Sequence, residues 1–122
     1  MIKEIIKKYG DFADALVYEF VYNISMHSAS DKGTVEVYIH CMNSDKDYEW
    51  EKIKLIFSEI LSFRFIENRK TSSTVINGAL IKVDSEGILF DFFPLIYDAG
   101  LKENPDSDFI ICCRELKYEK VE

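Results

Sequence analysis

The chain has 122 residues, enough for one domain with a single core and too few for two. Its apolar content of 48% is that of a folded globular protein, and nine Phe, seven Tyr and one Trp favour strands. The net charge of −7 is spread evenly: residues 1–61 hold 7 bases against 11 acids and residues 62–122 hold 8 against 11. No basic stripe or tail exists to attract phosphate, so nucleic acid is not an expected partner; an acidic surface suits solubility or a basic protein.

The opening "MIKEIIKKYG" is not the pattern of a signal peptide, because Lys3, Glu4, Lys7 and Lys8 interrupt any apolar run. No window approaches the roughly 20 apolar residues of a membrane span. The expected location is therefore the cytoplasm, with three reduced cysteines, and their odd number argues against a disulfide framework.

In chain order, Ile2, Ile5, Ile6 and Tyr9 mark one face of a short helix, with Lys7 and Lys8 in its last turn and Gly10 as its cap. Residues 15–25 alternate as a strand, although Asp11 could instead cap a helix carrying Phe12, Ala15, Leu16 and Phe20. A turn over 26–33 leads to the clearest strand, 34–42. There Val35, Val37, Ile39 and Cys41 share one face, and Thr34, Glu36, Tyr38 and His40 the other.

Residues 43–52 read as a polar connection. Two strands are expected over 53–66, turning at Ser58–Glu59, although one unbroken helix also fits some spacings. Residues 68–78 read as a loop; a helix from Thr74 is weakened by Gly78. "ALIKVDSEGILFDFF" reads as a hairpin turning at Ser85, Glu86 and Gly87, with Pro94 ending its second strand or confining it to an edge. An acidic loop over 98–108 precedes a last strand, 109–119. The expectation is a mainly β, α+β domain: a short N-terminal helix and about seven mostly antiparallel strands in a sandwich or partly open barrel.

Few residues suggest chemistry. Cys112 and Cys113 are adjacent and point to opposite faces of a strand, so they do not converge on one centre without a bulge. No CxxC occurs, and a metal or redox site would need Cys41, His40 or His27 as well. No metal or cofactor is expected. His27 lies beside Ser25 and Ser28, and His40 beside Cys41, the raw material of a nucleophile–histidine pair with no supporting motif. The five glycines are isolated, so the commonest phosphate-cradling signatures are absent. Asp91 interrupts the apolar run "ILFDFFPLI"; it is either exposed on the face of Leu89 and Phe93 or buried and paired, with Arg64 or Arg114 as candidates.

The remaining candidate is a surface. "DKDYEWE" sets Tyr48 and Trp50 among Asp45, Asp47, Glu49 and Glu51, and "KENPDSD" adds Glu103, Asp106 and Asp108. Aromatic anchors ringed by acids suit a basic protein partner, although Trp50 could equally turn inward as the first core residue.

"YEWEKIKLIFSEILSFRF" together with "SDFIICCRELKYEKVE" resembles small bacterial immunity-type proteins, over residues 48–66 and 107–122. The resemblance implies an acidic intracellular protein that binds and neutralises a toxin domain without catalysis. It carries no ligand motif, and no residue role transfers through it. A small hydrolase using Asp91 or a His/Cys pair, and a homo-oligomeric structural subunit, are the other readings.

Overall fold

A computed structural model describes residues 1–24, 33–67, 75–97 and 100–121. The alternation over 34–43 becomes strand β2 (Thr34–Asn43), with Val35, Val37, Ile39 and Cys41 buried and the intervening side chains half-exposed. It pairs on one side with β1 (Ala15–Asn23) and on the other with β3 (Glu49–Phe65), both antiparallel. Further along the chain come β4 (Val75–Ile76), β5 (Leu80–Val83), β6 (Ile88–Asp91), β7 (Leu95–Tyr97), β8 (Gly100–Lys102) and β9 (Phe109–Lys120). Seven of these form one sheet in the order β4-β1-β2-β3-β9-β6-β5, while β7 and β8 form a separate hairpin.

The sheet is antiparallel and curled into a half-barrel. Curling is visible in the rings: Phe20 of β1 lies 4.4 Å from Phe65 of β3 and 5.5 Å from Phe109 of β9, strands two and three places away. Phe57, Phe90, Phe92 and Phe109 fill the concave side, with Phe92 and Phe109 stacked at 4.0 Å. The partly open barrel is therefore the architecture formed, rather than the sandwich.

At one end the two sheet edges are stitched together. β4 pairs with Ala15 and Leu16 of β1, then runs through residues 77–79 into β5, which pairs with β6. Asp14 N donates to Ile76 O at 2.8 Å and Ala79 N to Asp11 O at 2.6 Å, which fixes this corner. Helix α1 (Ile2–Tyr9) packs on β2 and β9, burying Ile5 and Tyr9. Gly10, at φ 61, ends it with its N–H bonded to Ile6 O. Phe12 then turns inward, 1% exposed, against Tyr9 at 5.5 Å and Phe90 at 5.8 Å. The helix expected from its apolar stripe is thus the lid on the concave core.

Two expectations fail in the middle of the chain. Residues 43–52 are not a loop: a 3-10 turn (Ser44–Lys46) and two left-handed residues, Asp47 and Tyr48, lead directly into β3. Residues 53–66 are not two strands, because β3 runs unbroken for 17 residues. The inward set Ile53, Leu55, Phe57 changes phase to Ile60 across the left-handed Glu59, with β9 still in register, and a bulge follows at Leu61. Glu59 adopts φ 52, and the pairing with β9 slips between Ile60 and Ser62. That phase change is what imitates a turn in the sequence.

The expected hairpin at 79–93 does form, as β5 and β6. Asp84 Oδ1 accepts from the N–H groups of Glu86 and Gly87 at 2.8 and 3.2 Å. A side chain at Gly87 (φ 152) would meet Cys113 O at 2.5 Å, so glycine is required there. β6 is an interior strand that ends before Pro94. The acidic segment beyond it, expected as a loop, contains β8.

Candidate functional site

The turn from β2 to β3 is built by Asn43. Its carbonyl accepts from Tyr48 N at 2.9 Å, and its side-chain oxygen accepts from Asp45 N at 2.9 Å. Asp47 and Tyr48 have φ of 54 and 63, a conformation usually filled by Asn and Gly. Holding a tyrosine there costs on the order of 1–3 kcal/mol. The result is that Tyr48 stands out from the tip, 65% exposed. Two residues on, Trp50 lies on the outer face of β3, 48% exposed, opposite Met42 and 5.1 Å from the ring of His40. Trp50 is therefore a surface residue.

The outer face continues this aromatic row. Tyr18 and Tyr38 are 6.0 Å apart, and the ammonium groups of Lys52 and Lys54 lie 5.5 and 5.9 Å from their respective ring centres. Shallow depressions flank the tip. One of about 340 Å³ is lined by Lys7, Gly10, Phe12, Met42, Ser44 and Tyr48. Another of about 330 Å³ is lined by His40, Lys46, Glu49, Trp50, Lys52 and Lys120.

The acids divide into two kinds. Asp45, Asp47 and Glu49 are exposed around the two aromatics. Glu51 is not part of that rim, since its side chain is 8% exposed and turned inward. Its Oε1 accepts from Tyr9 Oη at 2.7 Å and Asn43 Nδ2 at 2.8 Å, while Lys46 and Lys120 approach Oε2 at 3.5 and 3.7 Å. Burial alone would raise the Glu51 pKa, but the bonds from Tyr9 and Asn43 and the charge of Lys46 outweigh it and hold it below the ordinary 4.5. The Tyr9 phenol, desolvated and facing this carboxylate, is held protonated well above its usual range. Locally, four carboxylates thus stand among the ammonium groups of Lys46, Lys52 and Lys120, and the tip is less acidic than its sequence suggests.

Glu103, Asp106 and Asp108 do not join this surface. Asp108 precedes Phe109, which pairs with Phe65, whereas the tip is at Glu49; the two groups lie at opposite ends of β3, roughly 50 Å apart along the strand path. Glu103 is occupied with Lys82 at 3.6 Å, Asp106 is exposed, and half-buried Asp108 receives the N–H of Ile66 on its backbone oxygen at 2.7 Å.

Asp91 is fully buried, and neither expected arginine reaches it. Its oxygens accept from the backbone N–H groups of Phe93 at 3.0 Å and Asn104 at 2.9 Å, and Asn104 Nδ2 closes the loop onto Phe93 O at 3.0 Å. Arg64 instead clamps the carbonyls of Ser107, through Nε at 2.8 Å, and Pro105 at 3.1 Å; Arg114 is exposed. Two amide dipoles serve where a guanidinium was expected, and Asp91 is a structural staple.

Cys112 and Cys113 do face opposite ways, half-exposed and buried respectively. Cys41 pairs with Glu51 of β3, and Cys113 with Ile60, so β3 separates them and they lie about 30 Å apart along it. Burial pushes the thiols of Cys41 and Cys113 up to about 12 and about 11, which keeps both protonated and poorly nucleophilic at neutral pH. His40 points outward toward Trp50 while Cys41 points into the core, so they form no pair. His27, Ser25 and Ser28 lie outside the described residues. Among the described residues no group of three or more His, Cys, Asp or Glu is placed to hold a metal, and no helix is long and apolar enough to cross a membrane.

No protein-family model matches the chain, and neither a curated protein nor a solved structure does.

Proposed function

We propose that the protein is a non-enzymatic intracellular binding module, immunity-like in action, whose β2–β3 tip docks onto a basic protein and occludes it. The observation that carries this reading is the pair of exposed rings, Tyr48 and Trp50, projected by a strained turn and rimmed by Asp45, Asp47 and Glu49. Rings held on a rigid hairpin lose little freedom on binding, and backbone strain of this kind gathers at functional sites. The interleaved lysines moderate the field, so the rings supply most of the affinity and the acids mainly select against acidic competitors. Asp91, the residue a hydrolase would need, is enclosed and saturated by amides, which favours the binding reading over the hydrolytic one.

The test is a pull-down from the host's lysate at low and high salt, repeated with Trp50→Ala and Tyr48→Ala. A single stoichiometric basic protein, lost with either variant while the variant's melting is native-like, supports the reading. Retention of nothing, or of the same proteins by the variants, refutes it.

A further inference from the structure

Three tyrosines of this chain hold a lysine ammonium near the ring face. Tyr18 has Lys52 at 5.5 Å, Tyr38 has Lys54 at 5.9 Å and Tyr118 has Lys8 at 5.2 Å. Tyr48 is more exposed than any of them, and among the described residues neither a ring nor an ammonium covers it.

Tyr48 lines the depression of about 340 Å³ beside the tip, and so does the end of α1. A helix C-terminus carries partial negative charge and favours a cation. Of its last carbonyls, Ile6 O accepts from Gly10 N, Tyr9 O from Phe12 N, and Lys7 O from Ser44 Oγ at 2.8 Å. Lys8 O receives no hydrogen bond from a described residue. The Lys8 ammonium is drawn off to Tyr118 Oη at 2.6 Å and to Glu4 at 3.3 Å, so it does not fill this role. Asp11 lines the same depression, and Asp45 and Asp47 are exposed on the tip; against these three acids stands Lys7.

We propose that this depression seats one arginine side chain of the basic partner, its guanidinium stacked on Tyr48 and its in-plane N–H groups aimed at the end of α1. The proposal rests on the binding reading above and names the partner's anchor. A guanidinium lies flat on a ring while donating along its edge, and it is less hydrated than an ammonium. It therefore uses the ring and the helix end together, where a lysine would use one of them. Met42 and Ala13 offer apolar contact to its aliphatic stem. Left-handed backbone shapes both sides of the cup, Gly10 and Phe12 at φ 61 and 57 and Asp47 and Tyr48 at φ 54 and 63. A cup already bent to shape loses little freedom when it is filled.

The test titrates a blocked glycine–arginine–glycine tripeptide into the full chain and follows amide NMR shifts, beside the matching citrulline and lysine peptides. Saturable shifts are expected at Gly10, Ala13 and Tyr48, with the neutral citrulline peptide weaker by roughly tenfold or more and the lysine peptide in between. Tyr48→Phe keeps the ring and the binding, whereas Tyr48→Leu keeps bulk and loses most of it. Lys7→Glu tightens binding several-fold. Ala13→Trp, at an exposed position lining the depression, fills it and abolishes the shifts. An arginine peptide that gives no saturable shift overturns the proposal, as does a citrulline peptide or a Tyr48→Leu variant that binds equally well. In the lysate experiment, a partner retained by Ala13→Trp but lost by Trp50→Ala overturns the arginine seat and leaves the binding reading standing.

Discussion

The two ends of β3 solve opposite problems with opposite materials. Near Glu49 the strand is framed by charge, with Glu51 drawing in Tyr9, Asn43, Lys46 and Lys120, and its outward rings stand in solvent. Near Phe65 the strand is framed by rings, with Phe20, Phe65 and Phe92 each against Phe109, and the buried carboxylate of Asp91 is closed off by backbone amides. A shared carboxylate rigidifies a hairpin whose tip is exposed. Packed rings hold the end where Asn104 returns to Asp91. The difference teaches that one strand can anchor stability at one end and present a surface at the other.

That division is breakable by mutation. The largest effect is expected at the ring end: Phe92→Ala removes a fully buried ring stacked on Phe109 and lowers stability by about 3–5 kcal/mol, read as a shifted urea midpoint. Asp91→Ala strands the N–H groups of Phe93 and Asn104 and costs about 1–3 kcal/mol, with increased protease sensitivity around residue 104.

Glu51→Gln should cost about 1–2 kcal/mol at neutral pH. Because the folded-state pKa of Glu51 is depressed, its contribution is present above 4.5 and disappears as pH falls through the folded value. The wild type therefore loses stability in acid more steeply than the variant, and melting curves from neutral pH to below 4 compare the two.

Trp50→Ala is the smallest perturbation of the fold, within about 0.5 kcal/mol for a half-exposed surface side chain. In the partner assay the same substitution is expected to weaken binding by about 2 kcal/mol or more. Equal losses of folding and binding would reassign Trp50 to the fold.

Legibility in the sequence followed parity and failed where parity was interrupted. The inward set of β2 and the stripe of α1 were readable because each element keeps one period throughout. Parity also contained the role of Glu51: it lies in step with Ile53, Leu55 and Phe57, all inward, while Trp50 lies in step with Lys52 and Lys54, outward. Reading the segment as a connection hid that signal. The left-handed backbone at Glu59 was visible only as a change of phase, which a turn would produce as well. The partners of Asp91 were not readable, because they are main-chain groups, one local at Phe93 and one returned from Asn104, and amides leave no mark in the sequence. The distance between the two acidic segments depends on strand order, which no local pattern encodes.

The corner at residues 76–80 has a consequence for the order of folding. Among the described residues it joins the two margins of the sheet through the pairing of Val75 and Ile76 with Leu16 and Ala15 and two flanking backbone bonds, drawing together halves of the chain that β3 and β9 must first assemble. Such a contact repays its loop entropy last and is surrendered first. Amide hydrogens at Asp14 and Ala79 should accordingly exchange before those of β3 and β9, and the half-barrel opens along this seam before it unfolds.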